Sequence, residues 1–245
     1  MPSFYYNARM RERPGVRHQH IIVMKSVIVT EFRKGRSRNR SEMKREEILD
    51  VCYELYSKNG PQAVNFGTVS EMTSLTRPAL YRYYGCREDM LLDLLKRRFS
   101  IWSEAVLAAL DSEKNCSREG FCRIISEYAD RNETLFALLS DQQRLEKGCS
   151  DEMMRDLSET TVSFCAGLAQ CIVAKFPGTS PEAVETFVQS ALLIASGAHP
   201  ATHRDYRKVR ILTELAPGHP LPDMRHMIYN SLMAASEGFA CPNNI

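Results

Sequence analysis

A short segment between residues 76 and 84 combines residue types whose spacing suits contact with double-stranded DNA. Leu80 and Tyr84 are four residues apart, so on a helix they share one face, which packs against neighbouring structure. The opposite face presents guanidinium groups for guanine edges or phosphates, phenol hydroxyls for phosphates, and one small side chain that allows close approach. The side chains predicted to face a major groove are Arg77, Ala79, Tyr81, Arg82 and Tyr83.

Two short predicted helices position this segment. Asn65 is a good N-cap for a helix that runs to about Thr73, and Thr76 can cap a second helix from Arg77 to about Tyr83. Pro78 falls in the first turn of the second helix, where a missing backbone N–H is tolerated. Only residues 74–76 separate the two helices. The pattern therefore predicts a helix-turn-helix.

The same stretch resembles the TetR family of bacterial repressors. The family pattern has a helix, a tight turn and a Leu-Tyr-rich recognition helix, and the residues that match it are Val69-Ser70, Ser74-Leu75-Thr76, Leu80-Tyr81-Arg82-Tyr83-Tyr84 and Arg87-Glu88-Asp89-Met90. The first helix of the family is matched by Arg45, Ile48-Leu49, Leu55-Tyr56 and Asn59-Gly60. The resemblance covers about residues 43–100. Four positions depart from the pattern: Ser74 replaces a turn glycine, Asn65 a threonine cap and Arg87 a lysine, and Pro78 restricts the start of the recognition helix.

The resemblance implies an all-α protein with a three-helix DNA-binding domain at 43–88 and a larger helical domain at 89–245. A basic extension, 1–42, precedes them. By the same resemblance, the larger domain holds a cavity for a small-molecule effector and forms a homodimer through its last two long helices, 181–197 and 223–238. With the motif positions included, the predicted DNA-binding residues are Arg45, Asn65, Thr76, Arg77, Ala79, Tyr81, Arg82, Tyr83 and Arg87.

Helical periodicity continues through the rest of the chain. A stripe from Ile48 to Tyr56 predicts a first helix of about 15 residues, and a longer one is expected from Arg87 to about Leu110. Ser117, Ser150 and Ser180 are start signals for later helices. These helices are predicted over 117–130, 132–146, 150–176, 181–197 and 223–238. Three prolines beyond Pro200 predict that 199–222 is mainly loop.

Charge is distributed unevenly along the chain. Residues 1–45 contain 12 Lys+Arg and 3 acids, a net charge of +9, whereas 46–100 carry 7 against 8 and 101–245 carry 13 against 19. A basic arm before a neutral-to-acidic body indicates a polyanionic partner for the N-terminal part. The run from Arg33 to Arg40 is a candidate for additional DNA contacts.

Other chemistry has weaker support in the sequence. The eight cysteines are dispersed without a Cys-x-x-Cys pair and are expected to be reduced thiols. His199 and His203 have the spacing of a metal pair, but Pro200 is expected to break the helix, and no third ligand is evident. No Gly-x-Ser-x-Gly, phosphate loop or His-Glu-x-x-His is present. We therefore expect no enzyme activity, metal or cofactor. A helical redox or metal sensor, or an enzyme without a recognisable motif, is the alternative.

The sequence also bears on location. No apolar run approaches the ~20 residues that span a bilayer, and the N-terminus lacks a secretory signal. The expectation is a cytoplasmic protein with no membrane partner. Met24 and Met43 are both candidate translation starts, so part of the extension is not necessarily present in the native protein.

Overall fold

The computed structural model describes residues 39–203, 206–218 and 223–240, and within these ranges every regular element is helical. Most of the basic extension and Cys241 lie outside them. In chain order the elements are α1 (39–59), a 3-10 turn (Pro61–Ala63), α2 (Phe66–Met72), α3 (Arg77–Leu80), α4 (Arg87–Ser112), α5 (Arg118–Asp130), α6 (Glu133–Glu146), α7 (Asp151–Lys175), α8 (Pro181–Thr202), α9 (Tyr206–Leu215) and α10 (Met224–Ala235). The all-α prediction is confirmed.

The chain divides into two compact units, Met1–Glu47 and Ile48–Ile245. Of the first unit, the structure describes the start of α1, where Lys44 pairs with Glu47 at 2.7 Å. All other helices belong to the second unit. Predicted starts of three helices are confirmed, because the hydroxyls of Ser117, Ser150 and Ser180 each accept a backbone N–H from the first turn of the helix that follows.

Helix α4 lies at the centre of the second unit, packed against α5, α6 and α7, while α8 packs on α6, α7 and α10. Phe99 and Trp102 of α4 meet Phe136 of α6 and Phe164 of α7 in one aromatic cluster. A second cluster joins the ends of later helices through Phe121, Phe176, Phe187 and Phe239. These aromatic contacts hold the larger body around α4.

The prediction that residues 199–222 are mainly loop is wrong. Helix α8 continues through Pro200 to Thr202, and α9 follows at Tyr206–Leu215. Pro200 is tolerated because it stands in the last turn, where it removes one hydrogen bond and the helix ends two residues later. The N–H of His203 still reaches the His199 carbonyl at 2.8 Å, which closes the turn.

Helix α7 is long and apolar enough to cross a membrane by length and composition, with an 18-residue window of mean hydropathy 1.3. Within this chain, α7 packs along α4 and contributes Phe164, Leu168 and Ile172 to the core, while most of the helix stays only partly covered. Its outer side leaves Val162 and Val173 exposed.

Candidate DNA-binding face and effector cavity

Helices α2 and α3 form the predicted helix-turn-helix. Asn65 caps α2 by accepting the N–H groups of Gly67 at 2.9 Å and Thr68 at 3.1 Å, and the Thr68 hydroxyl accepts the Asn65 N–H in return. Leu80 and Tyr84 are buried, as the spacing predicts. Helix α3 ends at Leu80, but backbone bonds from Arg82 and Tyr83 to the carbonyls of Ala79 and Leu80 continue the turn.

The opposite side of this turn carries the exposed polar groups. Thr76, Arg77, Tyr81 and Arg82 are all exposed, and Ala79 is half-buried between them. Neither the Arg77 nor the Arg82 guanidinium pairs with any residue that the structure describes. The Tyr81 ring stacks on Phe66 with centroids 4.2 Å apart, yet half of the residue remains exposed. The face thus holds two unpaired cations and a supported phenol.

Three of the predicted DNA-contacting residues, Thr76, Tyr83 and Arg45, also contact other parts of the chain. The Thr76 hydroxyl makes no capping hydrogen bond to α3, although its backbone carbonyl accepts from Ala79 at 2.8 Å and Leu80 at 3.1 Å. Tyr83 is half-buried and packs against the core. Arg45, on α1, is half-buried and already has a partner. Among the predicted residues, Arg77, Tyr81 and Arg82 therefore form the most accessible set.

Arg87 does not have the exposed position that a phosphate contact needs. Its Nε donates to the Val64 carbonyl at 2.7 Å, and one Nη donates to the Pro61 carbonyl. The other Nη lies 3.4 Å from the Glu88 carboxylate. The role of Arg87 as a DNA ligand stays a prediction, and in the structure its guanidinium joins α4 to the turn before α2. Sequence pattern gave its charge but not these distant carbonyl partners.

The N-terminus of α4 is also fixed to the later helices, through residues that the sequence analysis missed. Cys86 serves as the cap, its sulfur accepting from the Asp89 N–H at 3.4 Å and its thiol donating to the Gly148 carbonyl at 3.2 Å. The buried Asp89 carboxylate accepts from the Ser150 N–H at 2.8 Å. An acidic residue in the first turn of a helix usually indicates a favourable interaction with the helix dipole. The sequence therefore gave no signal for the hydrogen bond between Asp89 and Ser150, which are 61 residues apart.

Further along α4, side chains enter an enclosed apolar cavity of about 20 Å³. It lies among six helices and is lined by Phe99, Trp102, Ile125, Ala129, Phe136, Phe164, Leu168, Ala191, Leu192, Ile194, Ala195, Ile228 and Leu232. Trp102 is also buried with its indole N–H unpaired. The volume holds about one water molecule, so a larger guest requires these side chains to move. The apolar lining favours a mainly apolar ligand.

The cysteines show no activated thiol among the described residues. Burial raises the pKa of Cys52 to about 12 and that of Cys122 to about 11. Burial likewise raises the pKa of Cys86, Cys116, Cys149, Cys165 and Cys171. Because the thiolate is the reactive form, these environments do not favour redox sensing.

A helix-turn-helix with an exposed basic face, joined by one long helix to a larger helical body, is an arrangement typical of transcriptional regulators. The family model described as "Tetracyclin repressor-like, C-terminal domain" matches residues 96–243, about three fifths of the chain. The chain therefore belongs to the TetR family, whose members are transcriptional regulators rather than enzymes.

Individual relatives agree with this assignment. The HTH-type transcriptional repressor KstR of Mycobacterium tuberculosis is 33% identical over 78 residues, which is 32% of this chain and 34% of that protein. The match thus spans about a third of the curated relative. The fatty acid degradation regulator FadR from Bacillus halodurans has a similar fold, with a TM-score of 0.53 and 10% identity over 80% of this chain and 95% of that one. FadR from Bacillus subtilis, in complex with stearoyl-CoA, has a TM-score of 0.52 and 13% identity over 79% and 98%.

Proposed function

We propose that this protein is a cytoplasmic, homodimeric repressor that leaves its operator when a small molecule enters the cavity beside Trp102. The observation that carries the proposal is the exposed face of Arg77, Tyr81 and Arg82, backed by buried Leu80 and Tyr84. Cations without an internal partner are available to phosphates and guanine edges. In a TetR-family chain, such a face supports operator binding.

In the proposed complex, each protomer inserts α3 and the following turn into a major groove. Two-fold symmetry then places half-sites about 34–36 Å apart, or at multiples of that distance, on a pseudo-palindrome. Arg77 and Arg82 contact base edges or phosphates, and the Tyr81 hydroxyl contacts a phosphate. The basic run Arg33–Arg40, which the structure describes only from residue 39 onward, adds a non-specific electrostatic contribution.

Helix α4 supports the proposed coupling between cavity and DNA. Phe99 and Trp102 line the cavity, while Arg87 at the start of the same helix bonds to carbonyls before α2. A ligand larger than about 20 Å³ must displace aromatic side chains around α4. Release follows if the ligand binds more tightly to the conformation whose recognition helices are wrongly spaced for the operator.

The effector we propose is a mainly apolar molecule that carries a hydrogen-bond acceptor. The lining is apolar and the buried Trp102 N–H is unpaired, which an acceptor would satisfy. The stearoyl-CoA bound to the Bacillus subtilis FadR also has a long apolar segment, although that structure is similar to this one in fold only. Trp102 is the only tryptophan of the chain, so its fluorescence reports directly on occupancy of the cavity.

The dimer face that we propose combines α8 with α7. The apolar side chains Met224, Ile228 and Leu232 of α10 point into the protomer, which leaves this helix less apolar surface than the sequence prediction assumed. Helices α7 and α8 instead expose Val162, Val173 and Leu193 and flank a groove of about 520 Å³. We expect Leu193→Asp to yield monomers in analytical ultracentrifugation. Ile101→Asp, at an exposed apolar position on α4, is the matched control and should remain dimeric.

The decisive experiment is titration of the purified full chain against labelled DNA flanking its own gene, with a scrambled duplex as control and salt concentration varied. Nanomolar binding to a pseudo-palindrome, at least about a thousandfold tighter than to scrambled DNA, supports the proposal. Equal, salt-sensitive binding to both duplexes contradicts it. A compound screen would then follow Trp102 fluorescence and operator release in the same samples.

A further inference from the structure

Two histidines near the end of α8 lie side by side. The rings of His199 and His203 are parallel to within 7°, with centroids 4.3 Å apart. Helix α8 continues through Pro200, which lies in its last turn. Residues four apart therefore still share one helix face, which places His199 and His203 side by side. Parallel rings can direct one nitrogen each toward the same point, as in other metal pairs at this spacing.

A carboxylate from another helix completes the group. Glu133, in the first turn of α6, places Oε1 3.1 Å from His203 Nε2. One donor atom from each of the three residues lies within 4.8 Å of the other two. Ligand atoms bound to one metal at about 2.0–2.1 Å stand about 2.9–3.4 Å apart. His203 and Glu133 already have that separation, and rotation of side chains that are at most half-buried can bring His199 closer.

Two contacts orient the His203 ring. The Thr202 hydroxyl lies 3.1 Å from His203 Nδ1, and Nε2 faces the Glu133 carboxylate at 3.1 Å. A neighbouring polar group that orients the ring is typical of metal-binding histidines.

The surroundings favour a positive charge. Both histidines lie in or next to the last turn of α8, where the partial negative charge of a helix C-terminus stabilises a cation. A surface cavity of about 450 Å³ adjoins the group and is lined by Glu133, His199, Asp141, Tyr56 and others, so coordination positions remain open on that side.

We propose that Glu133, His199 and His203 form a binding site for a divalent late first-row transition metal ion. Two imidazoles and one carboxylate suit Zn²⁺, Ni²⁺, Co²⁺ or Cu²⁺, with affinity rising in the Irving–Williams order. The ion would link the start of α6 to the end of α8, both of which belong to the same unit of the chain. This proposal does not depend on operator binding or on the cavity beside Trp102.

The test is a titration of the full-length protein with Co²⁺ at pH 7.5, followed by visible absorption and calorimetry. Co²⁺ separates this site from the cysteines, because thiolate ligands add intense near-ultraviolet charge-transfer bands that nitrogen and oxygen ligands do not. The expected result is one equivalent bound without those bands. His199→Ala, His203→Ala and Glu133→Gln should each weaken binding at least tenfold, with far-ultraviolet circular dichroism unchanged.

The matched control is His226→Ala. His226 is also paired with a carboxylate, Asp223, with Nδ1 2.5 Å from Oδ2, but no second histidine joins that pair among the residues that the structure describes. Its removal should leave Co²⁺ affinity unchanged. The proposal is overturned by absence of binding, by thiolate bands, or by equal affinity in wild type and all three ligand variants. Absence of Co²⁺ binding would mean that a proton alone joins His203 to Glu133.

Discussion

The cations of the helix-turn-helix differ from the cations that link helices in the body. Three of the latter pair within the chain, Lys96–Asp156 at 2.6 Å, Arg97–Asp50 at 2.8 Å and Arg225–Glu127 at 2.7 Å. On α3 and the turn after it, Arg77 and Arg82 have no partner among the residues that the structure describes. The paired cations join helices to one another, whereas those of the helix-turn-helix are available to an external partner.

Arg87 lies between the two regions and tests how sharply they differ. Its sequence position belongs to the DNA-binding motif, but its bonds to the Val64 and Pro61 carbonyls are those of a structural residue. If hydrogen-bonded cations stabilise the fold and the cations of α3 bind DNA, substitution of Arg87 should lower the free energy of unfolding, whereas substitution of Arg77 or Arg82 should lower the affinity for DNA.

We expect Arg87→Ala to lower the free energy of unfolding by about 2–4 kcal/mol, because it leaves two carbonyls without their charged donor. Urea denaturation followed by circular dichroism measures the change. Arg77→Ala is the control and should stay within about 0.5 kcal/mol of wild type, since its side chain is exposed. Equal stability of both variants would remove the distinction drawn for Arg87.

We expect Arg82→Ala to weaken operator binding by about 1–3 kcal/mol and Tyr81→Phe by about 1 kcal/mol, with the dimer intact. Phenylalanine at 81 keeps the ring that stacks on Phe66 at 4.2 Å, so the variant isolates the hydroxyl. Fluorescence anisotropy with the operator measures affinity, and urea denaturation confirms unchanged stability. Wild-type affinity in both variants would show that another face of α3 meets DNA.

The two predicted caps of the helix-turn-helix should differ in their effect on stability. Asn65→Ala is expected to cost about 1 kcal/mol, since the side chain accepts two N–H groups of α2. Thr76→Ala should cost no more than about 0.5 kcal/mol, because its hydroxyl makes no such bond to α3. Parallel urea denaturation of the pair makes the comparison, and a larger loss for Thr76→Ala would contradict it.

Local patterns predicted much of this fold. The caps at Asn65, Ser117, Ser150 and Ser180 depend on the residue and the helix that follows it, so sequence carries the information. The burial of Leu80 and Tyr84 was equally predictable, because their spacing of four residues places both side chains on the same face of a helical turn. Five of the candidate DNA-binding residues were predicted in the same way from one local face, and they stay predictions: Arg77, Ala79, Tyr81, Arg82 and Tyr83.

The contacts that the sequence did not predict join residues that are distant in the chain. Arg87 bonds to carbonyls 23 and 26 residues earlier, and Glu133 meets a histidine 70 positions later, so neither contact has a local signal. The failed prediction at 199–222 came from treating every proline as a break. Pro200 falls in the last turn of α8, where the cost is a single hydrogen bond, and helical spacing of His199 and His203 survives.

The smallest expected effect concerns the cysteines and separates a ligand-responsive regulator from a redox sensor. With its pKa raised to about 11 from 9.0, the Cys122 thiol has about a hundredfold less thiolate at neutral pH than an ordinary cysteine. We therefore expect mild peroxide treatment to leave operator affinity unchanged and to leave Cys122 unmodified in intact-mass and peptide mapping experiments. The urea-unfolded protein is the control, in which the same thiol should react rapidly because burial no longer suppresses its ionisation. Rapid oxidation of the folded protein together with loss of operator binding would favour the redox alternative over the cavity beside Trp102.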